Sequence, residues 1–212
     1  SSDLAAILLT GTVALGAGIV ATIAGAQNDD AALFERSEVA AALDRRARDV
    51  ANKVTAAAAI EAGSPERLAH RLGLHVVVSG RDGAPLVFAP PAGPPIAIDD
   101  ELIGRLSAWA RVRGMGPEGR APATYGLHAG EFVFVAVAPI ENDRSLFAFD
   151  RASVDELRRF GRLSRLGGLT LAAGPPPAEA NGFAFRDLAT GETASLSWVA
   201  ARPGDQLVAR IG

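Results

Sequence analysis

After Asp3 the next charged residue is Asp29, and the 25 positions between them, Leu4 to Asn28, are mostly Leu, Ile, Val, Ala, Gly and Thr. At about 1.5 Å per residue a helix of that length reaches about 37 Å, more than the hydrocarbon core of a bilayer at about 30 Å. Residues 1–28 are therefore predicted to form a transmembrane helix, with everything after Asp29 a domain tethered to the membrane. Two rivals compete for the segment. Ala24-Gly25-Ala26 has the small-x-small form of a signal-peptide cleavage site, but the basic opening of such a peptide is missing. A buried core helix would carry a polar stripe, and this run has none. Ala14, Gly18, Thr22 and Ala26 recur one turn apart, a spacing that lets two membrane helices approach closely.

From Asp29 to about Ala62 the period becomes helical and amphipathic. Leu33, Ala40, Leu43, Ala47, Val50, Val54 and Ala57 follow alternating three- and four-residue steps, so residues 29–62 are predicted to be a long stalk helix. Its apolar stripe fits either a parallel homodimer or the domain's own sheet. Gly63 and Pro65 end it.

Residues 63–151 read as strand, strand, helix, strand, strand, strand. Ser64-Pro65 opens a short helix to Leu72; Leu74 to Ser79 and Ala84 to Ala89 form a hairpin about Arg81-Asp82-Gly83. Asp99 caps a helix through Val112 that buries Leu102, Ile103, Leu106 and Trp109. Strands are expected at Thr124 to His128, Glu131 to Ile140 and Leu146 to Asp150, joined by Ala129-Gly130 and Glu141-Asn142-Asp143. That order describes an α+β fold: a PAS/Cache-like antiparallel sheet of five strands with helices on one face and a pocket between them. Residues 152–212 are expected to form a smaller α/β element, either a second lobe or an extension of the first sheet. A helix capped by Ser153 runs to Leu166 and stops at Gly167-Gly168. Strands follow at Leu169 to Ala173, Phe183 to Arg186, Ala194 to Ala200 and Gln206 to Ile211.

Composition narrows the function. A net charge of −3 and a sequence pI near 5.6 leave no electrostatic footprint for nucleic acid. With no cysteine there is no disulfide framework, no thiolate zinc site and no cysteine nucleophile. Arg36, Arg45, Arg46, Arg48 and Lys53 follow the apolar run closely, and by the positive-inside rule they favour a cytoplasmic side.

No motif supplies a catalytic constellation. Gly114, Gly116 and Gly119 match G-x-G-x-x-G, but a helix precedes them and Pro122 follows, where a dinucleotide site needs a strand and then a helix N-terminus. No P-loop, H-E-x-x-H, G-x-S-x-G or calcium-loop spacing occurs. His70, His75 and His128 have no metal-ligand spacing; only a pairing of His75 with His128 across neighbouring strands offers a metal site. Arg158, Arg159, Arg162 and Arg165 share one helix face, expected to be solvated or to meet lipid headgroups. The groups expected to line the mouth between helix and sheet, and to bind a small anion or metabolite, are Arg111, Arg113, Tyr125 and His128. Neither a cofactor nor a metal is expected.

The end of the chain resembles a known family. Leu196-Ser197-Trp198-Val199-Ala200-Ala201-Arg202-Pro203-Gly204-Asp205-Gln206-Leu207-Val208, with Val154-Asp155-Glu156-Leu157 running into Leu163 and Leu169-Thr170-Leu171, is similar to the closing strand-turn-strand of the fourth class of CHASE domains. These are the extracytoplasmic sensory modules of bacterial membrane-bound diguanylate cyclases and phosphodiesterases. The alanine run Ala56 to Ala59 departs from the family, which carries aromatic and acidic residues there. The family's second membrane helix and catalytic output would lie past Gly212. The resemblance implies a homodimeric sensory domain of the inner membrane with its soluble part in the periplasm. It would detect a small ligand or envelope condition and pass it through paired helices to a cytoplasmic output, cyclic-di-GMP turnover, without being an enzyme itself. The alternative is a single-anchor scaffold or assembly protein of the cell envelope.

Overall fold

The computed structural model describes residues 32–57, 64–79, 85–88, 96–140, 144–159, 166–178 and 180–199. The expected transmembrane helix 1–28 lies outside them, as does the strand expected at Gln206 to Ile211. Among the described residues no helix is long and apolar enough to cross a membrane. The chain divides into two compact units, Ser1–Glu38 and Val39–Gly212. In the first, residues 32–38 are helical. The second is described below.

It is an α+β unit. In chain order it comprises α1 (39–57), α2 (Pro65–Leu72), β1 (His75–Ser79), β2 (Leu86–Phe88), α3 (Asp100–Arg113), a 3₁₀ turn at Pro117–Gly119, β3 (Ala123–His128), β4 (Glu131–Ile140), β5 (Arg144–Ala152), α4 (Val154–Arg158), β6 (Gly167–Ala173), β7 (Asn181–Arg186) and β8 (Thr193–Val199). Five strands form one antiparallel sheet in the order β2-β1-β5-β4-β3, and three form a second in the order β6-β8-β7.

The β3–β4 hairpin forms where Ala129 and Gly130 stand, and both take positive φ, 50° and 80°. Two positive angles are what a two-residue turn needs to match the right-handed twist of its strands. The pairing of Phe134 with Tyr125 on one side and Asp150 on the other sets the register of the central strands.

Positions 132–138 of β4, Phe-Val-Phe-Val-Ala-Val-Ala, are all buried. An uninterrupted apolar run places a strand between two covered faces, since alternate side chains point to opposite sides. The covers differ. Val76, Phe132, Phe134, Ala136, Ala148 and Ala152 pack with α1 (Leu43, Ala47, Val50, Val54), α2 (Leu68) and the second sheet (Leu169, Leu196, Trp198). On the other face Val77, Val133, Val135, Val137, Phe147 and Phe149 pack with Leu102, Ile103 and Leu106 of α3. The expectation of helices on one face is thereby corrected: α1 and α2 lie on one side and α3 on the other, because both faces of the sheet are apolar.

The stripe read as a homodimer seam or a sheet contact is, from Leu43 to Ala57, buried in the protein's own core. Polar links pin α1 as well. Thr55 Oγ1 accepts from the Ala121 amide at 3.0 Å, and Arg46 pairs with Asp150 of β5 at 2.6 Å.

Within the range 152–212, expected as a second smaller lobe or an extension of the first sheet, the described strands β6, β7 and β8 form a second sheet that packs on this same core. Phe183 and Phe185 of β7 pack against Tyr125 and Phe132, tilted and edge-to-face, at ring-centroid distances of 6.3 and 5.0 Å, and the Leu188 amide donates to the Leu127 carbonyl at 2.8 Å. Ser153 caps α4 with a reciprocal capping box to Glu156. The helix is described only as far as Arg158, and 160–165, with Arg162 of the basic stripe, lie outside the described residues along with Arg165. Arg158 itself pairs with Asp155 at 3.1 Å.

Candidate functional site

Helix α3 begins where the Asp99 carboxylate accepts a hydrogen bond from the Leu102 amide at 2.8 Å, satisfying one of the free donors of the first turn. One stripe of the helix, Leu102, Ile103 and Leu106, is driven onto the sheet by burial. The adjoining flank, Asp100, Gly104, Ser107, Ala110 and Arg111, follows the three- and four-residue steps of a second stripe and stays open. Between it and the ends of β1, β4 and β5 runs a groove of about 660 Å³. Its sheet side is formed by Ser79, Val137, Pro139 and Ser145, with Pro85, Gly114, Met115 and Pro122 at its margins.

The groove offers three hydroxyls, one carboxylate at Asp100, one guanidinium at Arg111 and an apolar floor. Such groups hydrogen-bond and ion-pair; no histidine lines it. Ser107 Oγ donates to the Ile103 carbonyl at 2.7 Å, which leaves its oxygen able to accept from a ligand.

Of the four residues expected at the mouth, Arg111 alone lines this groove. Arg113 is exposed at the end of α3 and is not part of the lining. Tyr125 and His128, three apart on β3, point to opposite faces of the sheet. Tyr125 faces α1 and the second sheet, among Phe132, Phe134 and Phe183. His128 is buried and its Nε2 donates to the Ala97 carbonyl. A carbonyl only accepts, so Nε2 carries a proton, and Nδ1 has no partner among the described residues. The four therefore do not form one site. The metal pairing of His75 with His128 also fails, because β5 and β4 stand between β1 and β3, about 14 Å of sheet. Among the described residues no group of three potential metal ligands occurs.

A second polar cluster lies on the opposite face, where α1 crosses the row Tyr125–Phe134–Asp150. The Tyr125 hydroxyl hydrogen-bonds the Asp44 carboxylate. Burial foremost, then that negative charge, holds the phenol protonated well above its ordinary range. At the other end of the row burial raises the Asp150 carboxyl, outweighing the attraction of Arg46 and Lys53 that pulls it down. The two pairs clamp one helix to two strands.

Sequence reasoning missed Asp100 and Gly104. The signals were present: a glycine inside a helix, and an acid and a base eleven residues apart on one flank. The missed partners of α1, Asp44 and Asp150, had no signal short of the pairing itself. The 3₁₀ turn inside Gly114–Gly119 follows a helix and precedes a strand, the reverse of a dinucleotide fingerprint. No family model matches the sequence, and no curated protein matches it.

Proposed function

We propose that this chain is a membrane-anchored sensory input domain that binds a small ligand in the α3 groove and passes the event to the helix leading back toward the membrane. The observation that carries the reading is the groove of about 660 Å³ between a helix inserted after β2 and a five-stranded antiparallel sheet. That is where a PAS/Cache-like fold keeps its pocket, a likeness of topology only. The volume falls within the range of small-molecule sites. The resemblance of the closing residues to class four CHASE domains adds the periplasmic address, the homodimer and an output in cyclic-di-GMP turnover. The uncharged run Leu4 to Asn28 adds the anchor.

Transmission would run through the sheet. The groove and α1 lie on its opposite faces, and the Arg46–Asp150 and Asp44–Tyr125 pairs fasten α1 to the far side of the strands whose other face packs against α3. A ligand that favours one placement of α3 shifts the population of the whole arrangement only by its difference in affinity between the two states.

The test is a thermal-shift screen of the full chain in detergent against amino acids, dicarboxylates, nucleotides and short peptides. It is followed by hydrogen exchange of α1 with the hit. A ligand at about 100 times its Kd adds about 2.7 kcal/mol, and α1 amides should change protection with it. A ligand that binds without changing exchange in α1, or a response that survives filling of the groove by Gly104→Leu, would refute the proposal.

A further inference from the structure

We infer that the ligand of the α3 groove is a linear peptide of four or five residues with free ends, its ammonium group on Asp100 and its carboxylate on Arg111. The inference rests on the sensory reading above and names the ligand class for the same site.

Both charged residues line the groove from one helix. Eleven residues correspond to just over three turns, so the two share a flank and stand about 16 Å apart along the axis. Among the described residues neither side chain has an ion-pair or hydrogen-bond partner, whereas Arg105, on the same helix, is paired with Glu101 at 3.0 Å. The groove thus has an acidic end, a basic end, and hydroxyls and apolar carbons between them.

Length decides among ligands of that polarity. In a free amino acid both charges belong to one Cα, so it reaches one end or the other. An extended chain covers about 3.3 Å per residue, and four or five residues span about 13–16 Å. The helix ends oppose this orientation with about half a unit charge each, but the full charges of Asp100 and Arg111 outweigh them.

Gly104 lies between the two. It is exposed inside α3, does not take a positive φ, and a Cβ built on it meets nothing within 4 Å. Neither backbone conformation nor packing asks for glycine there, and glycine is disfavoured in a helix interior. What its absent side chain leaves is bare helix backbone on the flank of the groove, where a peptide main chain can pass closely.

The experiment titrates the full chain by calorimetry with a panel of Ala-Ala-X-Ala-Ala peptides, each also N-acetylated and C-amidated, together with the matching dipeptides and free amino acids. At least one free-ended pentapeptide should bind, each cap should weaken it tenfold or more, and dipeptides should bind tenfold or more weaker. Asp100→Asn should abolish discrimination against the acetyl cap alone, Arg111→Gln discrimination against the amide alone, and Gly104→Leu should block binding while the thermal transition stays intact. Capped peptides that bind as well as free ones, or discrimination that survives both charge substitutions, would overturn the peptide assignment. A non-peptide ligand whose binding Gly104→Leu abolishes would overturn it too, yet leave the sensory reading standing. Binding that Gly104→Leu leaves untouched would sink both.

Discussion

Replacing Gly104 with alanine separates what the position does for the fold from what it does for the groove. Glycine inside a helix is about 0.8–1.0 kcal/mol worse than alanine, part of it through the extra freedom of the unfolded chain. A gain of that order is realised only if the new methyl finds room, and here no atom lies within 4 Å of the built Cβ. Gly104→Ala should therefore stabilise the domain by about 0.5–1 kcal/mol, raising Tm by about 1–4 °C for a unit of this size. The assay is urea unfolding followed by circular dichroism, with the midpoint rising at unchanged slope. The same methyl enters the groove, and intrusion into a filled site costs about 1–3 kcal/mol, so peptide affinity should fall at least about fivefold. A variant less stable than the parent would refute the packing argument. A stabilised variant with unaltered ligand affinity would refute the claim that the ligand passes over this turn.

Gly126→Ala should do the opposite, because its Cβ would press on the Arg186 carbonyl oxygen and lie 2.7 Å from Leu188 Cγ, where the chain crosses β3. A loss of about 1–3 kcal/mol is expected in the same urea assay, and an unchanged midpoint would mean that crossing is not held. Asp150 supplies a pH test. Burial raises its carboxyl above the ordinary 3.8 despite Arg46, so from about that value up to the raised one the folded state binds the proton more tightly than the unfolded state. Native stability then falls as pH rises through the window. Asp150→Asn removes that dependence, so the stability of the parent relative to the variant should decline from pH 3.8 upward; a difference that is flat with pH would refute the assignment.

The local elements were legible because their causes are local. Asp99 and Ser153 cap their helices in the structure as their positions imply, and Ala129-Gly130 is the turn between two apolar runs. Strand β4 occupies Glu131–Ile140, the range its apolar run implies. Even the opposed facing of Tyr125 and His128 follows from a three-residue separation on a strand. Grouping them with Arg111 and Arg113 overlooked that alternation.

By itself the sequence determined where chain direction and periodicity change, because caps, turns and apolar spacing act within a few residues: the helix starts, the hairpin, and the extent of β4. Only the tertiary structure decided that β1 pairs with β5 and that α1 and α3 sit on opposite faces of the sheet. It alone placed Ser79 and Ser145 across from Asp100, Gly104 and Arg111 to make a groove. Those contacts join residues tens of positions apart. Their energy comes from burying two apolar faces at once, a quantity no single segment carries.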